Sequence, residues 1–230
     1  MNHSRRVRLG VMAKYWEPGR VKTRLGTSIG METSARLHQA FCLHLARTLS
    51  TSADCRSFVV TPNESTVHFH KELTSTWRVE AQGEGNLGDR MCRWFSASGD
   101  KESRILIGGD CPQLNARLID SAIDLLREHE MVLGPARDGG YYLIGISQPN
   151  SIDLRHLFHG IAWSSQRVFS DTVARVSQLG LSLGVMETLS DIDMLLDLER
   201  LRHELGSSER SEDARLHEQI EDILRCGDAL

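Results

Sequence analysis

A short basic loop near the start of the chain has the residue types of an anion-binding site. Its cations are Lys14, Arg20, Lys22 and Arg24. The loop directly follows an apolar run, residues 7–13, that predicts a first β-strand. Lysine supplies point charge, arginine supplies forked donors and glycine lets the backbone come close, so phosphate is the favoured ligand. The alternative interpretation is a solvated basic loop that leads into a helix.

The same loop contains Glu17-Pro18-Gly19, which is typical of a type II turn. Proline fixes φ at the second position of such a turn, and glycine is free to take the positive φ of the third position. We expect this turn to fold the loop back and to bring its later cations towards the carboxyl end of the first strand.

An aspartate follows a second apolar strand. Residues 104–107 predict that strand, which leads through Gly108 and Gly109 to Asp110. In open α/β sheets, ligands bind at the carboxyl ends of the strands, where Asp110 could hold Mg²⁺ against a diphosphate. Glycines beside it would let a substrate approach the backbone. Alternatively, Asp110 only accepts backbone N–H groups in the turn that follows.

Two more acidic segments could reach the same edge. Asp138-Gly139-Gly140 has the composition of a hairpin turn, and its place between two strand-like runs would put it at the same sheet edge as Asp110. Asp191 could add a second carboxylate to the crevice. Asp193 is placed to cap a helix predicted over residues 194–205.

Aromatic and histidine side chains carry a weaker signal. Trp163 could stack on a sugar or a base, or it could equally be a core residue. His68 and His70 alternate along the chain without a third ligand at a recognisable spacing. No role is assigned to any of the ten histidines.

Composition limits the partners of the basic loop. The chain has 230 residues, a net charge of −4 and a pI near 6.2, which disfavours a nucleic-acid or membrane-surface role. Its five cysteines are scattered and form no C-x-x-C pair, which argues against disulfides and zinc and favours a reducing cytoplasm. No apolar run is long enough for a secretory signal or a membrane span. We therefore expect a cytoplasmic protein whose ligand is a small anion.

Apolar runs and helical patterns alternate along the chain. Strands are predicted at 7–13, 57–61, 77–81, 104–107, 131–134, 141–146 and 183–187, and helices at 32–50, 87–97, 116–129, 165–178, 194–205 and 213–225. Asn115 is placed to cap the helix at 116, and Ser164 or Ser165 to cap the next. Alternation of this kind predicts an α/β fold with a mainly parallel sheet covered on both faces, made mixed by the hairpin. We expect one domain over residues 1–206 and a C-terminal helical extension over 207–230.

Taken in order, these segments resemble a family of bacterial glycosyltransferases associated with radical-SAM and selenium-domain proteins or with arsenosugar biosynthesis. The resemblance is carried by PGRVKTRL at 18–25 with Lys14, QGEGNLGDRM at 82–91, GDCP at 109–112, LGPARDGGYYLIG at 133–145, LF-GI-WS within 157–164, and DID at 191–193. It implies a GT-A-like, Rossmann-type three-layer sandwich. It also implies a nucleotide-diphospho-sugar donor, a small-molecule acceptor and Mg²⁺ or Mn²⁺.

Roles for individual residues follow from that resemblance. The resemblance implies that Asp110 coordinates the metal and that Asp138 lies near the acceptor or the donor sugar, and we expect both to be catalytic. Asp191, from its place in the crevice, is the second expected metal ligand. The expected substrate-binding residues are Lys14, Arg20, Lys22, Thr23, Arg24, Gly109, Gly139, Gly140 and Trp163. The chain departs from the family at Trp16, where proline is usual, at Asn86, where aspartate is common, and at 194–196.

Three functions are compatible with the sequence. The leading one is a metal-dependent glycosyltransferase acting on a small acceptor. The second is a nucleotidyltransferase that joins a nucleoside triphosphate to a phosphorylated small molecule and releases pyrophosphate. The third is a nucleotide-binding subunit without catalysis, which the departures at Trp16 and 194–196 keep open.

Overall fold

A mixed sheet forms the centre of the protein. The computed structural model describes residues 6–97 and 102–227, and within them the sheet has seven strands in the order β3-β2-β1-β4-β6-β5-β7. The strands are β1 Arg6–Lys14, β2 Cys55–Thr61, β3 Arg78–Ala81, β4 Glu102–Gly108, β5 Met131–Pro135, β6 Tyr141–Ile146 and β7 Leu183–Val185. Of these described strands, only β6 runs antiparallel to its neighbours, β4 and β5. The other described strands therefore end at one edge, where β6 begins.

Helices cover both faces of the sheet, as the α/β prediction requires. They are α1 Thr23–Ile29, α2 Met31–Thr48, α3 Thr66–Glu72, α4 Leu87–Ser96, α5 Ala116–Glu128, α6 Leu154–Phe158, α7 Val168–Gln178, α8 Leu195–Gly206 and α9 Ser211–Gly227. One buried cluster joins the sheet to α2, α3 and α5, and a second joins it to α4, α6 and α7. The predicted three-layer, Rossmann-type architecture with a mainly parallel mixed sheet is confirmed.

All the strands predicted from the sequence are present, although β7 ends two residues early at Val185. The predicted cap of α5 is also confirmed, because the Asn115 side chain accepts a hydrogen bond from the backbone N–H of Leu118 at 3.3 Å. The short helices α1, α3 and α6 were not predicted. Each has seven residues or fewer, too short to show a helical period.

The predicted cap of α7 is wrong. That helix begins at Val168, with Arg167 at the capping position and no capping side chain. Ser164 takes a left-handed φ of 65°, and the Ser165 hydroxyl accepts from the backbone of Arg167 within the preceding turn. The chain is thus still turning where the sequence predicted the first turn of a helix.

The C-terminal helix α9 packs on the outer side of α2 and α8. Leu216, Ile220 and Ile223 of α9 are buried in a third cluster that includes Phe41 of α2 and Leu201 of α8. The helical character predicted for this segment is confirmed, whereas a domain boundary at residue 206 stays a prediction. Within the described residues, no helix is both long enough and apolar enough to cross a membrane.

Candidate active site

The sheet topology brings the predicted acidic residues to one edge. The chain leaves β1 towards β2 on one side and returns to β4 on the other, so β1 and β4 form the switch point at which open α/β sheets bind ligands. The backbone N–H of Gly109 donates to the carbonyl of Met12 at 2.9 Å, which extends the pairing of the two strands by one residue. Asp110 therefore emerges beside the end of β1.

The basic loop folds back as its turn signature predicts. Gly19 has a φ of 73°, and the backbone N–H of Arg20 donates to the carbonyl of Glu17 at 3.0 Å. The loop ends at Lys22, which has a left-handed φ of 46° immediately before α1. A left-handed conformation costs a non-glycine residue about 1 kcal/mol, so tertiary contacts must hold Lys22 in place.

Those contacts are ion pairs with two carboxylates. The Lys22 side chain is only 2% exposed, and its Nζ lies 2.6 Å from Asp110 Oδ1 and 3.4 Å from Asp193 Oδ1. Burial by itself lowers the pKa of Lys22, but the charges of Asp110 and Asp193 outweigh it and the pKa is raised. Burial likewise would raise the pKa of Asp110, but Lys22 and His38 hold it below its usual range. Both groups are therefore ionised.

His38 of α2 is a site residue that sequence reasoning missed. Its Nδ1 lies 3.3 Å from Asp110 Oδ1, and its Nε2 lies 2.9 Å from the carbonyl oxygen of Lys14. Burial lowers the pKa of His38, but the nearby Cys42 and Asp110 raise it to about 10. The only sequence signal was a histidine among the apolar residues of α2, which is more often a core residue than a functional one.

Asp191 arrives at the site from the far side of the sheet. After β7, Leu189 pairs with Ala136, and the backbone N–H of Ile192 donates to the carbonyl of Asp110 at 3.1 Å. Burial and the charges of Asp110 and Asp138 raise the pKa of Asp191 to about 7. The carboxyl group of Asp191 therefore gives up its proton less readily than that of an exposed aspartate.

The predicted capping role of Asp193 is wrong. The helix α8 begins at Leu195, and it is Asp197 whose Oδ2 accepts from the backbone N–H groups of Asp193 and Met194, at 3.2 and 2.8 Å. The Asp193 side chain is thereby free to contact Lys22, and its Oδ2 lies 4.0 Å from Arg24. A long-range ion pair has replaced the local capping bond.

The other predicted basic residues are placed differently. Lys14 and Arg20 are exposed and line a neighbouring cavity of about 310 Å³, which also includes Tyr15 and the end of β2 at Thr61. Thr23 is exposed at the start of α1, and the side chain of Arg24 is 76% exposed. The cations of the loop therefore lie in two places: Lys22 contacts Asp110 and Asp193, whereas Lys14 and Arg20 line the adjoining cavity.

Trp163 lies within the helical layer beside the sheet. It is partly buried, its ring centroid is 6.5 Å from that of Phe158, and a side chain on Gly88 of α4 would collide with its indole. These contacts favour the core interpretation of Trp163, and substrate stacking stays a prediction.

The Asp138 turn connects β5 to β6, as predicted. Asp138 Oδ1 accepts from the backbone N–H of Gly140 at 2.8 Å, and Gly139 has a φ of 91°. A Cβ on Gly139 would lie 2.1 Å from the carbonyl oxygen of Gln166, which leads into α7. The glycine therefore lets two loops at the carboxyl edge pack backbone to backbone.

Gly139→Ala should lower the free energy of unfolding by about 3 kcal/mol, because the new methyl group combines left-handed strain with a clash against backbone. Gly180→Ala is the matched control, since Gly180 has a φ of 67° but nothing within 4 Å of its Cβ position. Gly180→Ala should lower the free energy of unfolding by only about 1 kcal/mol. Urea denaturation of both variants measures the difference, and equal losses would contradict the packing argument.

The carboxylates fit a hard divalent cation in chemistry and charge. Oxygen ligands suit Mg²⁺ and Mn²⁺, and the pKa of Asp191, which burial and then the charges of Asp110 and Asp138 raise, would be lowered by a bound cation. In the part of the chain that the structure describes, however, no three histidine, cysteine or acidic side chains stand in metal-binding geometry. One oxygen of Asp110 is already held by Lys22.

Comparison with known proteins assigns this chain to a bacterial protein family. The chain belongs to the family described as "Uncharacterized protein conserved in bacteria (DUF2064)", whose model matches residues 45–165. None of the curated proteins compared with the chain matches it.

Solved structures extend the likeness to nearly the whole chain. A protein described as a "putative nucleotide-diphospho-sugar transferase", from Desulfovibrio desulfuricans G20, is 28% identical, with a TM-score of 0.84 over 96% of this chain and 97% of that one. A cytidylyltransferase from Leptospira borgpetersenii is 14% identical, with a TM-score of 0.60 over 95% and 94%. Rv0371c from Mycobacterium tuberculosis H37Rv, in complex with manganese, is 15% identical, with a TM-score of 0.52 over 86% and 97%. The last two likenesses show a shared fold.

Proposed function

We propose that the protein is a metal-dependent glycosyltransferase that uses a nucleotide-diphospho-sugar donor and a small-molecule acceptor. The observation that carries the proposal is the buried Lys22 ammonium held between Asp110 and Asp193 at the switch point of the sheet. A fixed cation beside several carboxylates is the arrangement expected for a metal-bound diphosphate. The described likeness to the Desulfovibrio protein supports the same class of substrate.

In the proposed reaction, the acceptor oxygen bonds to the anomeric carbon of the donor sugar. The bond from that carbon to the diphosphate oxygen breaks, and negative charge grows on the departing nucleoside diphosphate. Lys22 and Arg24 stabilise this charge, and Lys14 and Arg20 bind the donor from the adjoining cavity. Asp138 accepts the proton of the acceptor hydroxyl.

Asp110 and Asp191 would hold the divalent cation, which supplies Lewis-acid stabilisation of the diphosphate when bound. Thr23 adds a hydroxyl at the start of α1. Gly109 and Gly140 would let a substrate approach the backbone at the sheet edge, whereas the space beside the expected substrate-binding residue Gly139 is taken by Gln166. Membership of the radical-SAM- and selenium-domain-associated group stays a prediction.

Lys22→Met should weaken binding of a nucleotide sugar at least tenfold, because it removes the ammonium that holds Asp110 and Asp193 at the site, and a hydrogen bond to a charged group is worth roughly 1.5–3 kcal/mol. Isothermal titration with a set of nucleotide sugars and Mn²⁺ measures this. Lys71→Met is the matched control, since Lys71 is an exposed lysine on α3 outside the site. No binding of any nucleotide sugar by the unaltered protein would refute the proposal.

Product analysis separates the two transferase reactions that the site could support. Release of a nucleoside diphosphate from a nucleotide sugar is the expected result. Release of pyrophosphate from a nucleoside triphosphate would instead establish the nucleotidyltransferase, because the same cations could hold a triphosphate.

A further inference from the structure

Arg90 is a partly buried arginine in the first turns of α4, within the QGEGNLGDRM segment at 82–91. Its Nε donates to the carbonyl of Gly85 at 2.9 Å, and its Nη1 donates to Gln82 Oε1 at 3.1 Å and to Thr61 Oγ1 at 3.4 Å. All three acceptors are neutral oxygens. Among the described residues no carboxylate forms an ion pair with this guanidinium, so no acidic side chain offsets its charge at close range.

The strand register brings Lys14 and Thr61 to the face of the sheet that α4 covers. The two residues pair at the last position of the parallel ladder between β1 and β2. Side chains alternate along a strand, so Lys14 and Thr61 lie on the same face as Met12 and Val59, which pack in the cluster that includes α4. An ammonium and a hydroxyl therefore leave the carboxyl edge of the sheet side by side.

Arg90 determines what the Thr61 hydroxyl can do. An arginine can only donate, so Oγ1 accepts the bond from Nη1 and the hydroxyl proton needs an acceptor elsewhere. No group in the described part of the chain accepts that proton, and none contacts the Lys14 ammonium. Both residues line the cavity of about 310 Å³ beside the Lys22 cluster. Their donors are therefore available to a ligand in that cavity.

We infer that Thr61 binds a phosphate oxygen of the donor together with Lys14, and that Arg90 is the positioning residue for the Thr61 hydroxyl. The inference deepens the proposed function and rests on it, because the phosphate is that of the nucleotide-diphospho-sugar. A phosphate oxygen accepts from a hydroxyl and an ammonium at once, and the charge of Arg90 directly behind the hydroxyl favours an anion there.

The acids of the cavity fit the same ligand. Glu17 and Glu64 also line it, from the segments that follow β1 and β2. An ionised carboxylate only accepts hydrogen bonds, so it suits the hydroxyl groups of a sugar and not a phosphate. The mixed lining thus matches a phosphate that is attached to a sugar.

Four variants separate the hydroxyl and the guanidinium from their structural roles. Thr61→Val keeps the branched shape and loses the hydroxyl, whereas Thr61→Ser keeps the hydroxyl. Arg93→Met is the matched control for Arg90→Met, because Arg93 also lies on α4 and braces the same loop. Arg93 donates to the carbonyls of Gln82 and Glu84 at 2.6 and 2.8 Å, but it lines a different cavity.

Inorganic pyrophosphate without metal serves as the probe in isothermal titration calorimetry. Thr61→Val and Arg90→Met should each weaken its binding roughly tenfold, the usual effect of losing a hydrogen bond to a charged group. Thr61→Ser and Arg93→Met should stay within about twofold of the unaltered protein. Equal losses for Arg90→Met and Arg93→Met, equal affinities of Thr61→Val and Thr61→Ser, or no binding by the unaltered protein would overturn the inference.

The same variants keep this inference separate from the proposed function. Pyrophosphate binding that depends on Thr61 and Arg90, in a protein that binds no nucleotide sugar, would refute the glycosyltransferase and retain the anion site. Turnover of a nucleotide sugar that is unchanged in Thr61→Val would retain the glycosyltransferase and overturn the anion site. If Arg90→Met does not fold, the comparison of Thr61→Val with Thr61→Ser decides.

Discussion

Asp110→Asn is expected to lower kcat/KM for sugar transfer at least a thousandfold. Asparagine keeps the shape of aspartate and can still accept from Lys22, but it carries no charge to bind a metal or to complement the ammonium. Loss of one group that stabilises transition-state charge costs roughly 10²–10³ in rate, and loss of a metal ligand adds to it. Turnover of a nucleotide sugar measures the effect.

The same variant should still fold, with a free energy of unfolding lower by about 2 kcal/mol. Removing one partner of a fully buried ion pair costs roughly 3–5 kcal/mol, but Lys22 retains Asp193 at 3.4 Å and Asp110 is half exposed. Asp124→Asn, at an exposed acid on α5, is the control for both measurements. Undiminished turnover by Asp110→Asn would refute its assignment.

Asp191→Asn is expected to stabilise the metal-free protein at pH 8 by about 2–4 kcal/mol and to weaken Mn²⁺ binding. The folded-state pKa of about 7 lies above the ordinary value of 3.8, so the folded protein binds this proton more tightly than the unfolded chain does. Stability from this group is thus fully present below about pH 4 and is lost as the pH rises towards 7. Asparagine mimics the protonated form and avoids that loss.

Thermal unfolding at pH 4 and pH 8 tests the direction of this pH dependence of stability. The variant should match the unaltered protein at pH 4 and exceed its Tm by roughly 5–10 °C at pH 8, given about 2–4 °C per kcal/mol for a chain of this size. Adding Mn²⁺ should raise the Tm of the unaltered protein at pH 8 and not that of the variant. Equal Tm values for the variant and the unaltered protein at pH 8 would show that ionisation of Asp191 does not destabilise the folded protein.

The meeting of the acidic residues at one edge of the sheet could be predicted from the sequence, because the direction of the strands determines the edge at which each strand ends. Asp110 and Asp138 follow parallel strands, so their placement at one edge required only the alternation of strands and helices and the Asp-Gly-Gly turn. The turn at Gly19 followed from proline and glycine chemistry within a few residues. These are local signals combined with a topological rule.

The contacts made by individual side chains could not be predicted in the same way. Asp193 has the sequence position of a helix cap, but it pairs with Lys22, far away in the chain. His38 contacts Asp110 only after α2 packs on the sheet. Ser165 lost its capping role to a turn that packs against Gly139. In each case a long-range contact outweighs a local preference of about 1 kcal/mol.

The left-handed backbone of Lys22 has a consequence for substitution at this position. Glycine or asparagine would suit that backbone better, but neither brings the ammonium that lies between Asp110 and Asp193. Relaxing the main chain there would therefore leave two carboxylates without their shared counterion. At position 22 the best residue for the backbone and the best residue for the side chain are different, and the side chain prevails.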